Sequence, residues 1–183
     1  MGPLTYADYA AMPDDGRRYE LIDGELIMTP APGTGHQWVV ACLFDRLRAH
    51  VRERDIGVVL DSPLDVILSE KNTIQPDLVY VDRARCNLLR KRGIDGAPTL
   101  LVEVISPTRP TFDRREKKKL YARHRVPHYW IVDPETRRLE GFVLGARGYG
   151  KAVEFSGDAV ASLAPFPDLA IPLATIWPPD FPD

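Results

Sequence analysis

Two carboxylates stand in settings that invite chemistry. Asp77 follows Pro76, and Glu103 interrupts the apolar run Leu100-Leu101-Val102-Glu103-Val104-Ile105. A charged group inside such a run is costly to bury unless it is paired or binds a cation. Strand alternation puts Leu101, Glu103 and Ile105 on one face, and Leu100, Val102 and Val104 on the other. Asp77 also opens a strand-like run, so the two acids can meet on neighbouring strands at a sheet margin. Oxygen ligands of this kind suit a hard cation such as magnesium, which takes one or two carboxylates and keeps several waters. A salt bridge with a nearby arginine explains either acid alone equally well; the pair together favours a metal.

Other candidates lie on either side of this pair. Lys117 and Tyr121, four apart, share a helical face with Leu120 and His124. The triplet Lys117-Lys118-Lys119 cannot all point one way, so one lysine can turn inwards, unless all three form a solvated face. Near the N-terminus, Tyr19 to Met28 reads as a hairpin around Asp23-Gly24, a pair suited to a type I′ turn. Pairing Ile22 with Glu25 puts Glu20, Ile22, Glu25 and Ile27 on one face, and the two acids point to a solvent-exposed one. His36 falls in the first turn of a helix, where an imidazole is an ordinary capping or packing partner. His124 and His128 flank a helix end, where its negative pole acts on them. Cys42 reads as core, and Cys86 is unassigned.

The elements that must position these groups follow from periodicity. Thr34-Gly35-His36-Gln37 has capping-box spacing, and Val40, Phe44, Leu47 and Val51 then mark an amphipathic helix to Arg54. Strand-like runs follow at 57–60, 64–68, 77–81 and 99–105. Asp113 is placed to cap a second helix to about Arg125, closed by Pro127, with a strand over 129–132. The middle of the chain is read as α-β-β-β-α-β, one strand fewer than the four runs, and a weaker hairpin signal spans 141–155. Six of the 17 prolines fall in the last 19 residues, which must be extended or looped.

At 183 residues, 44% apolar and 27% charged, the chain has the make-up of one globular domain. Net charge is −2, so bulk charge announces no partner. It is uneven, however: Arg83 to Arg125 carries 13 Lys/Arg against four acids, which suits phosphate neutralisation. Two cysteines cannot make a disulfide framework or a four-ligand zinc site. Without a membrane-length apolar run or an export signal, a soluble cytoplasmic protein is expected. Glycine loops for nucleotides, a nucleophile elbow and His-Glu-x-x-His spacing do not occur.

Taken in order, Tyr19 to Glu25, His36-Gln37, Gln75-Pro76-Asp77, Val102 to Pro107, Asp113 with Lys117 and Tyr121, and Val126 to Pro134 resemble the Uma-type restriction endonuclease family. That family belongs to the PD-(D/E)XK nuclease superfamily, and the likeness covers roughly residues 4 to 175. It implies an α/β (α+β) fold with an αβββαβ core, a mixed sheet flanked by helices. A single domain over 1–183 is expected, with a hairpin at about 17–30, the core at about 34–135, and a C-terminal hairpin and proline-rich tail at about 139–183. The resemblance further implies that Asp77, Glu103 and the main-chain carbonyl of Val104 bind magnesium or manganese. The superfamily places a lysine two residues after the glutamate, where this chain has Ile105. Lys117 matches a lysine on the following helix that would orient the attacking water or stabilise charge on the phosphate. Glu20 matches a further acidic position, with His36 beside it. The implied activity is metal-dependent hydrolysis of DNA, sensibly by a homodimer. A catalytically inactive nucleic-acid-binding module on the same fold competes with this, supported by Ile105. So does a metal-dependent enzyme acting on RNA, a branched junction or a small phosphoester.

Overall fold

The computed structural model describes residues 2–106 and 112–181, residues 112–114 by backbone alone. A one-turn helix α1 (Tyr6–Ala10), held by a reciprocal Thr5–Asp8 cap, precedes the hairpin strands β1 (Arg18–Ile22) and β2 (Glu25–Thr29). Ile22 pairs with Glu25 as Asp23-Gly24 predicts, and both turn residues have positive φ, 51° and 80°. A type I′ turn needs that at both positions, which is why Asp-Gly stands there. Helix α2 (Thr34–Arg54) leads to β3 (Gly57–Asp61), β4 (Val66–Ser69), β5 (Asn72–Ile74) and β6 (Leu78–Asp82). A 3₁₀ turn, Arg83–Leu88, is followed by β7 (Leu89–Arg90), β8 (Gly93–Asp95) and β9 (Leu100–Val104). A π-type turn, Phe112–Lys117, runs directly into α3 (Lys118–Arg123). Strands β10 (His128–Asp133), β11 (Arg138–Gly145), β12 (Gly148–Tyr149), β13 (Val153–Ser156), β14 (Val160–Leu163) and β15 (Phe166–Pro172) follow.

The central sheet runs β12-β11-β10-β9-β6-β3, with β13 also on β11. It is mixed: β9 and β10 are parallel, and the other core neighbours are antiparallel. The expected αβββαβ order is realised by α2, β3, β6, β9, α3 and β10. The run over 64–68 contributes to a different layer. Its strand, β4, joins a second sheet ordered β2-β1-β5-β4-β8-β7. Strands β5, β7 and β8 are two or three residues long, too short to show alternation, and β5 and β8 also pair with distant segments, β1 and β4.

Details of both helices differ from expectation. Thr34 does not cap α2; Gly33 does, accepting the Gln37 N–H at 3.1 Å, and no side chain closes the end. The buried stripe of α2 is Val39, Val40, Leu43, Leu47, His50 and Val51, with Phe44 only half-buried. Helix α3 ends at Arg123, and Arg125 takes a left-handed conformation before Pro127. Asp113, expected to cap this helix, has its side chain outside the described residues.

Apolar layers cover both faces of the central sheet. On one face α2, β14, β15 and Trp177 pack against Leu100, Val102, Val104, Trp130 and Val132. On the other, Leu120 and Tyr121 of α3, with Val66, Ile74 and Ile94 of the second sheet, pack against Leu101, Ile105, Tyr129 and Ile131. The proline-rich tail is extended apart from a 3₁₀ turn at Leu173–Thr175. It returns onto its own chain, where the Trp177 indole donates to the Gly157 carbonyl at 2.6 Å. Among the described residues no helix is long and apolar enough to cross a membrane.

Candidate active site

Alternation along β9 turns Glu103 toward α3, where only 4% of it remains exposed. Lys117, at the end of the π-type turn, places Nζ 3.0 Å from both of its carboxylate oxygens. One helical turn later, the Tyr121 hydroxyl donates to Oε1. Burial, and next the Glu103 charge, push the Tyr121 phenol far above its ordinary pKa, so it stays a proton donor. The lysine triplet divides as its geometry requires. Lys117 is buried, Lys118 is half-buried with its ammonium 3.6 Å from the Phe142 ring centroid, and exposed Lys119 pairs with Glu116.

Glu20 overturns the solvent-face expectation for the hairpin. Its exposure is 3%, while Glu25 on the same face is exposed. The difference is positional: Glu20 lies mid-strand on β1, between β2 and β5, with the Gln75 N–H and Lys117 on its carboxylate, whereas Glu25 sits at the turn of the edge strand β2. Glu20 Oε1 accepts the Gln75 main-chain N–H at 2.9 Å and lies 3.1 Å from Lys117 Nζ. Lys117 therefore joins a carboxylate of the second sheet to one of the central sheet.

Asp77 is the third corner, 8% exposed at the entry to β6. Its Oδ2 accepts the Val104 N–H at 2.8 Å and lies 3.2 Å from His36 Nε2. An ionised carboxylate only accepts, so Nε2 carries the proton there. His36 Nδ1 is then buried with no hydrogen-bond partner among the described residues. His36 also lines a cleft of about 510 Å³ with Gly33, Gly35, Ile105, Ser106 and Phe181.

Residues 6–174 match the Uma2 family, described as "Putative restriction endonuclease". The chain belongs to this family. It also resembles the crystal structure of a "putative nuclease belonging to DUF820" from Anabaena variabilis, with TM-score 0.79 and 17% identity over 96% of this chain and 98% of that one. At that identity the likeness speaks for the fold. No curated protein matches. Family and fold together point to a restriction-endonuclease-like nuclease.

In this Uma2 member the donor chemistry at the end of β9 fits a hard cation. The Val104 N–H points toward β6, and a strand residue's carbonyl points the same way as its N–H. Extending the Leu78↔Val102 register sets Val104 opposite Pro76, which has no N–H to offer that carbonyl. Two carboxylates and a carbonyl are a magnesium-type set. Among the described residues no three His, Cys, Asp or Glu side chains gather as a metal cage. Ile105, where the superfamily has its lysine, is buried in the apolar layer beside α3.

The remaining expectations divide. His124 and His128 do not follow the helix pole, which would raise their pKa; burial lowers both, and a neighbouring arginine adds to it. Cys42 is half-buried against the core. Three arginines of the basic segment, Arg83, Arg90 and Arg123, are engaged at the surface with Asp55, Asp95 and Asp23. The main-chain contributions of Gln75 and Val104 could not be read from residue type. Tyr121 carried a usable signal, its four-residue spacing from Lys117.

Proposed function

We propose that this Uma2 member is a metal-dependent endonuclease that hydrolyses DNA phosphodiester bonds, with Asp77, Glu103 and the Val104 carbonyl holding magnesium or manganese. The observation that supports this reading is that Asp77, held on the Val104 N–H, and Glu103, held by Lys117, stand at the same end of β9. A binding surface has no need of carboxylates this deeply buried. When bound, the cation supplies an activated water and neutralisation of charge on the phosphate.

The chain's own groups do the positioning. Tyr121 and Lys117 fix the rotamer of Glu103, and the Val104 N–H and His36 fix that of Asp77. Glu20 holds the Lys117 ammonium from its other side. Lys117 orients the attacking water and offsets charge on the phosphate oxygens, replacing the lysine absent at Ile105. No protein nucleophile is required, so positioning and electrostatics supply the rate.

The test is calorimetric titration with magnesium and manganese, comparing wild type with Asp77→Ala/Glu103→Ala, alongside incubation with supercoiled and linear DNA. Metal binding and nicking should both vanish in the variant while its circular dichroism stays that of wild type. Undiminished cleavage by purified Glu103→Ala protein defeats the assignment.

A further inference from the structure

Trp38 and Phe181 are out of keeping with the surface around them. Each residue is 42% exposed, and the two rings meet edge to face with centroids 6.2 Å apart. The other tryptophans are core residues, Trp130 at 0% and Trp177 at 5% exposure. Two positions along α2 turn Trp38 to a different side of the helix from His36, and it is Phe181 that lines the same cleft as His36, Ile105 and Ser106. The aromatic pair is therefore continuous with the cleft onto which His36, the partner of Asp77, opens.

A clasp for the C-terminal tail is the simplest alternative role. The tail is already fastened upstream, by the Trp177 indole on Gly157. A clasp would also cover the rings, and nearly half of each stays in water. Charge in the cleft is mixed, since Arg137 faces it together with Glu135 and Asp180. The rings, rather than phosphate attraction, are the feature that can hold a strand there.

We propose that Trp38 and Phe181 form a stacking platform for an unpaired nucleobase beside the scissile phosphate, so that the DNA taken by this site carries at least one unstacked base. This rests on the nuclease reading above. Base pairs in an intact duplex keep their faces stacked on one another; an unpaired base offers a free π-face. Stacking on an aromatic side chain changes affinity by roughly 5- to 150-fold per base.

The test uses metal-free protein, so that nothing is cut, with (dT)8 and a blunt-ended DNA hairpin with a capped loop as probes. Tryptophan emission reports mainly on exposed Trp38; (dT)8 should quench it and the hairpin should not. Trp38→Ala should bind labelled (dT)8 at least roughly fivefold more weakly by anisotropy, Phe181→Ala should also weaken it, and Trp38→Phe should recover most of the loss. Hairpin affinity should be the same in all four proteins. Equal (dT)8 affinity in wild type and Trp38→Ala, or equal quenching by the hairpin, overturns the platform. The two readings fail separately: a protein that binds (dT)8 through Trp38 yet never cuts with magnesium or manganese loses the nuclease reading alone. One that cuts, with (dT)8 affinity indifferent to Trp38→Ala, loses only the platform.

Discussion

Successive residues of β9 serve opposite purposes. Leu100, Val102 and Val104 enter a layer with α2 that is closed by apolar shape. Leu101, Glu103 and Ile105 enter a layer with α3 in which Glu20, Glu103, Lys117 and Tyr121 interrupt the packing. Buried charge is tolerated on the second face because each group is hydrogen-bonded by the next. Removing one member of such a set leaves its partners uncompensated, whereas trimming the first face leaves only a cavity. One face holds the sheet together, and the other holds charges in place.

Three variants would break or sharpen that contrast. Lys117→Met should have the largest effect, slowing cleavage by ~10²–10³-fold, the cost of removing one preorganised electrostatic group. It also leaves Glu20 and Glu103 without the ammonium between them, so its unfolding free energy in urea should fall by about 3–5 kcal/mol. Cleavage at the wild-type rate would move the chemistry off this face. Leu100→Ala, on the opposite face, should lower unfolding free energy by about 2–5 kcal/mol. Its cleavage per folded molecule should not change; a lower rate at full occupancy of the folded state would show that the two faces are coupled.

The smallest effect concerns His128, half-buried at the start of β10, whose pKa is lowered by burial first and by Arg85 second. Its folded value lies below the unfolded 6.5, so the unfolded chain binds the proton more readily. Stability from this source is whole above pH 6.5 and is lost as pH falls toward the folded value. His124 behaves alike. The melting temperature of His128→Gln should fall less steeply than that of wild type between pH 7 and pH 5.5; parallel curves would remove burial of His128 as a source of acid sensitivity.

The parts legible in the sequence are those with a local period. Alternation placed Glu103 against Leu100, Val102 and Val104, and i,i+4 spacing placed Lys117 beside Tyr121. Asp23-Gly24 set the hairpin register that β1 and β2 adopt. Local rules failed where a neighbour from elsewhere decided the outcome. Thr34 has the type and spacing of a cap, but Gly33 is the cap and Thr34 is the first residue of α2. Glu20 and Glu25 share a face of one hairpin, yet Glu20 meets the Gln75 N–H and Lys117 while Glu25 stays exposed. The run at 64–68 has strand composition, yet composition could not say which sheet β4 would join.

The sequence by itself determined the backbone periods, the turn chemistry and the residue types able to hold a cation, because each is fixed by geometry within a few residues. Tertiary structure alone decided that Gln75 donates to Glu20 across 55 residues and Val104 to Asp77 across 27. It also brought Lys117 between two carboxylates from different sheets and Phe181 against Trp38. Those contacts arise when two sheets and a helix close on one another, and the closeness of residues so far apart along the chain has no local period to announce it.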